Sequence, residues 1–137
     1  MSRAAWFARL VVGTVFAVNV WCALVFILQP EQFVAGFELQ GVAGLVMVQS
    51  IGILFLMWNV TYPPVLYDPR KYIALFAVLL VQQLIGVVGE TWLWLSLPPG
   101  HVNLSASGAR FIAFDAAGLA AMSIAFVLLA ARGTMDR

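Results

Sequence analysis

The stretch VVGETWLWL, Val87 to Leu95, sets one carboxylate, Glu90, inside a run that otherwise suits lipid. Read outward, that run extends over about residues 71–97, and Lys71 at its start is the only other charge. A helix rises ~1.5 Å per residue, and ~20 apolar residues cross a hydrocarbon core of ~30 Å. Three more segments have the same character, at about residues 4–28, 41–62 and 106–131. The whole chain agrees with them: 64% of its 137 residues are hydrophobic and 9% are charged, where soluble domains carry roughly a quarter. The expectation is an all-α fold, an integral membrane antiparallel four-helix bundle, with residues 1–137 forming one transmembrane domain. A net charge of +1 offers no basic surface for nucleic acid. The lipid bilayer is the expected surrounding.

The segment ends support this reading. The first begins with Arg3, continues past Arg9 to Leu28 and closes in QPEQF without a small-x-small cleavage pattern, so a retained helix is expected rather than a signal peptide. TYPPVLYDPRKY, Thr61 to Tyr72, reads as a tight proline-rich turn, with Tyr62, Tyr67 and Tyr72 as interfacial anchors. With four crossings both termini share a side. Placing them in the cytoplasm gathers Arg3, Arg70, Lys71, Arg132 and Arg137 there, with Arg9 nearby. Glu31, Glu38 and His101 then fall outside, with Arg110 the one base close by, in keeping with the positive-inside rule.

Depth along each helix connects Glu90 to other polar residues. It lies roughly 10 Å below the outer end of its segment, Asp115 about 13 Å, Gln49 near 12 Å, Asn19 near 13 Å and Arg110 about 6 Å. Gln82 and Gln83 lie deeper. Gln82, Gly86, Gly89 and Glu90 fall along one stripe, the glycines leaving space beside polar groups; Gln49 and Gly52 form a similar stripe that Asn59 continues inward. A charge at the centre of a membrane helix costs roughly 2.5–3.5 kcal/mol on insertion scales, so such groups are expected to face one another. One arrangement pairs Arg110 with Glu90 and leaves Asp115 to another neighbour. The candidate ligand-binding residues are therefore Asn19, Gln49, Gln83, Glu90, Arg110 and Asp115; an ion pair that only orders the helices is the plainer reading.

The last segment carries Ala109, Ala113, Ala117, Ala121 and Ala125 at four-residue intervals. Small residues let membrane helices approach closely, so this row can pack within the bundle or against a protein partner or second copy. His101 is the single histidine and Cys22 the single cysteine. A bis-histidine haem, an internal disulfide and a clustered zinc site are all excluded within one chain. No nucleophile-elbow, phosphate-loop or dinucleotide motif is present. No cofactor, metal or catalytic residue is expected, and whether the chain is an enzyme stays open.

The plan of four helices, the first ending in LQPEQF (Leu28 to Phe33) and the second reading GVAGLVMVQSIGILFLMWN (Gly41 to Asn59), resembles the DoxX-like group of small bacterial membrane proteins. The resemblance covers mainly residues 5–60. It implies a bacterial cytoplasmic membrane and association with quinone-linked or redox-associated complexes, although the lack of cysteine pairs speaks against thiol chemistry. Three functions are expected: binding of a small polar or amphipathic molecule such as a quinone headgroup, within a larger assembly or alone; proton-linked transport or conduction by an oligomer through Glu90 or Asp115; and a structural accessory role without ligand.

Overall fold

A computed structural model describes the backbone of residues 2–135 and the side chains of residues 2–131. Arg137 and the side chain of Arg132, both in the expected cytoplasmic charge cluster, lie outside the described residues. The described residues form six helices and no strand: α1 (Arg3–Leu28), α2 (Glu31–Val34), α3 (Gly41–Asn59), α4 (Tyr62–Tyr67), α5 (Ile73–Leu95) and α6 (Val102–Met135). Among the described residues four of these, α1, α3, α5 and α6, are long and apolar enough to cross a membrane.

Local chemistry sets the boundaries. Ser2 accepts the Ala5 N–H at 3.3 Å and caps α1, supplying one of the partners that a first turn lacks. The expected second segment, 41–62, ends earlier, at Asn59. The chain there turns into α4, whose Pro63 and Pro64 occupy the first turn, where a missing N–H removes no helical hydrogen bond. The proline-rich turn therefore contains a helix. It closes at Asp68, whose carboxylate accepts the N–H groups of Arg70 and Lys71, both at 3.1 Å. The last helix begins four residues before the expected 106, because Glu38 from the loop between α2 and α3 accepts the Leu104 N–H at 3.2 Å. An acid there satisfies an orphan amide and opposes the helix dipole.

Helix α1 is central, packing on α3, α4 and α6, while α5 packs on α6 and α4; α3 and α5 share no extended contact. Gly52 permits the closest approach: a Cβ there would lie 2.7 Å from the Ala23 carbonyl oxygen and 2.8 Å from the Ile27 side chain. Residues late in α5 meet residues early in α6, as Trp94 does with Ser105, and residues early in α5 meet those late in α6, as Phe76 does with Phe126. The buried core gathers toward the N-terminal end of α1, where Ala8, Val12, Tyr62, Phe76, Leu79 and Met122 are fully enclosed. Tyr62 is thus a core residue and not the interfacial anchor expected of it; Tyr67 is exposed.

Candidate functional site

Because α3 and α5 do not close on each other, space remains between them, and α1 and α6 form its back. Two adjoining cavities occupy it, and a third lies beside them among α1, α3 and α6. The smallest, about 70 Å³, is lined by Asn19, Phe55, Trp58, Asn59, Gln83, Gly86, Glu90 and Asp115. Beside it, a groove of about 390 Å³ runs between α3 and the α5–α6 pair; apart from Glu90 its walls are apolar, with Phe37, Ile51, Leu93, Trp94 and Phe111 prominent. A third space of about 170 Å³ reaches Cys22, Arg110 and Phe114. Phe55 borders all three, Glu90 the first two, and Asp115 the first and third.

The polar cavity rests on a chain of side chains from three helices, α4, α5 and α6. The Tyr62 hydroxyl donates to Gln83 Oε1 at 3.4 Å, and Gln83 Nε2 donates to Asp115 Oδ1 at 2.8 Å. The Asp115 and Glu90 carboxyls lie within hydrogen-bonding reach of each other. Gly86 makes room for this, since a Cβ there would stand 3.2 Å from Asp115 Oδ2. Asn59, 4% exposed, donates through Nδ2 to the Phe55 carbonyl at 2.7 Å, which orients its Oδ1. That oxygen and Glu90 Oε2 are both buried without a partner. Buried polar atoms are nearly always satisfied, so two open acceptors around one small cavity require an explanation.

The structure brings together four of the six sequence candidates: Asn19, Gln83, Glu90 and Asp115. Gln49 is elsewhere. Its Nε2 donates to the Ile27 carbonyl at 3.1 Å and joins α3 to α1; its depth matched, but its face of α3 turns toward the last turn of α1. Arg110 does not pair with Glu90 either. Exposed on α6, it donates to Ser107 Oγ at 3.3 Å and reaches only the third cavity. Among the described residues the sole ion pair is Glu38 with His101, at 2.5 Å. Glu90 is the neighbour of Asp115, the other acid. Arg9 donates to the Tyr67 carbonyl.

Asn59 and the aromatic wall were not among the candidates. Asn59 sits at the far end of α3, where counting along the chain places it with the cytoplasmic side. Phe26 is the hub of the wall: Phe33, Phe37, Phe55 and Phe111 surround it at centroid distances of 4.6, 5.8, 6.0 and 6.2 Å. These rings come from α1, α2, α3, α6 and the α2–α3 loop, and no spacing within one helix signals their meeting.

The groove is closed off at its loop end by polar contacts. Glu38 adopts a left-handed backbone, φ 54°, and its carboxylate bridges His101 and the Leu104 amide. Ser107 Oγ donates to the Gly36 carbonyl at 2.8 Å beside it. The His101 hydrogen bond, reinforced by the Leu104 amide, holds the Glu38 carboxyl below the usual glutamate range. Of the alanine row on α6, Ala109, Ala113 and Ala117 are exposed, while Ala125 is buried; steps of four residues drift about 40° around a helix of 3.6 residues per turn. No protein-family model matches the chain, and no curated protein or solved structure is detectably similar to it.

Proposed function

We propose that the chain is an integral membrane protein, an antiparallel bundle of four crossings with both termini cytoplasmic, that binds an amphipathic small molecule between α3 and α5. Membrane residence is supported by four apolar helices whose large side chains point outward, Leu10, Trp21, Leu54, Ile85 and Val127 among them. The alternating helix contacts and the arginine distribution support the topology. A DoxX-like kinship and a bacterial cytoplasmic membrane belong to the same proposal, on the strength of LQPEQF and the glycine-rich α3.

One observation carries the binding reading: Glu90 stands at the junction of an acceptor-lined polar cavity and an apolar groove. The groove volume of about 390 Å³ falls within the range of small-molecule sites, ~300–1,000 Å³. A molecule entering from lipid lays its tail along Phe37, Leu93 and Trp94 and presents its head at Glu90. Native mass spectrometry from nanodiscs, with decyl-chain amphiphiles as probes, tests this. Adducts are expected on the wild type and lost in Gly108→Leu and Ile51→Trp, two independent ways of filling the groove, with helical circular dichroism retained. Adducts that persist in both filled variants rule the reading out.

Proton-linked transport is the second reading, favoured by the side-chain track Tyr62–Gln83–Asp115–Glu90. It requires pH-driven flux in liposomes, abolished by Glu90→Gln or Asp115→Asn. The accessory role would use the exposed alanines of α6 as a contact with a partner or second copy.

A further inference from the structure

We infer that the head group accepted at Glu90 is a cationic hydrogen-bond donor, so that the groove takes hydrophobic amines in preference to alcohols or carboxylic acids of equal tail length. The inference rests on the groove reading above and adds the chemistry of its polar end.

The open valences around the small cavity point one way. Glu90 Oε2 and Asn59 Oδ1 are buried and unpartnered, and both accept. The Asn59 amide cannot reverse roles without losing the 2.7 Å bond from its Nδ2 to the Phe55 carbonyl. Of the donors nearby, Gln83 Nε2 is engaged with Asp115 and the Tyr62 hydroxyl with Gln83; the Asn19 amide also lines the cavity and can turn either its oxygen or its N–H groups to a head group. An incoming group therefore meets two buried acceptors that an ammonium with three N–H donors can satisfy and a carboxylate cannot.

Charge gives the same answer. Glu90 and Asp115 both border the small cavity, and among the described residues neither acid is in an ion pair. Arg110 meets Asp115 only at the third cavity and is exposed. One cationic head would offset the acidic charge here and fill both open acceptors. The cavity of about 70 Å³ has room for such a head, given that a water occupies ~30 Å³ in the liquid. The tail leaves through the shared Glu90 wall into the groove.

The test uses decylamine, decanol and decanoate with the full chain in nanodiscs, with adduct occupancy read by native mass spectrometry at equal probe concentration. A charge-assisted hydrogen bond in a low-dielectric site predicts decylamine occupancy about tenfold above decanol, with decanoate lowest. Glu90→Gln is expected to bring decylamine and decanol within about twofold of each other while both still bind, and Asn59→Leu to weaken decylamine more than decanol. Equal binding of amine and alcohol to the wild type, a preference for decanoate, or an amine preference unchanged in Glu90→Gln would each overturn the inference and leave the groove intact. Failure of all three probes to bind overturns the groove reading itself.

Discussion

The two ends of the bundle are built differently from similar residues. Toward the N-terminus, α1, α4, α5 and α6 enclose Val12, Tyr62, Phe76, Leu79 and Met122 completely. Toward the α2 and His101 loops, α3 and α5 stay apart beside a cluster of aromatic rings, and space is left beside Glu90. Lipid supplies no hydrophobic drive between helices, so association depends on dispersion contacts and on close approach at small residues. The filled end supplies those contacts. It allows the other end to keep unsatisfied acceptors and an open groove, the usual cost of a functional site.

The largest expected effect tests the filled end. Phe76, fully buried against Phe126 at 5.4 Å, leaves a cavity when cut to alanine; with the water-transfer contribution reduced in lipid, about 2–4 kcal/mol of stability should be lost. Reversible unfolding in mixed micelles measures it, and a loss below that of a groove residue such as Leu93→Ala would erase the contrast. Gly52→Ala comes next. Its methyl would stand 2.7 Å from a backbone oxygen of α1, so the two helices must separate, at a cost of about 1–3 kcal/mol. An unchanged unfolding midpoint would show that this seam is looser than its geometry.

At the hollow end the sign should reverse. Glu90→Gln removes a charge that lacks a full set of partners, and stability should stay level or rise by up to about 1 kcal/mol. A fall comparable to that of Phe76→Ala would make Glu90 a structural residue and abolish the distinction between the two ends. The smallest effect belongs to the loop clamp. The folded state holds the Glu38 carboxyl below its usual range, so its contribution is present above the unfolded value and is lost as pH falls through the folded one. Hydrogen exchange at the Leu104 amide should accelerate on acidification below the ordinary carboxylate range, and Glu38→Gln should remove that dependence. A Leu104 amide whose protection ignores both would show that the clamp is not needed to seat the loop.

The positions of the long helices were legible because apolar length, proline and capping residues act within a few residues of themselves. Arg3–Leu28 follows from its run of apolar residues and the Pro30 that ends it. The meeting of Asn19, Glu90 and Asp115 was also partly legible, since depth is a count along the helix. Gln49 shows where counting ends: it shares their depth and faces α1. Arg110 shows the same for charge, since opposite signs at similar depth did not make a pair.

Four apolar helices, their approximate limits and the depth at which polar groups interrupt them were readable along the chain, since these are consequences of hydropathy and helical rise. That α3 stays apart from α5, that Gln83 rather than Arg110 steadies Asp115, and that Asn59 closes the cavity with Glu90 emerged from packing alone. Those outcomes depend on the rotation of each helix about its own axis. Rotation is set by which surfaces interlock, through Gly52 against Ala23 and the rings around Phe26, and such complementarity belongs to pairs of helices and is not written in any one of them.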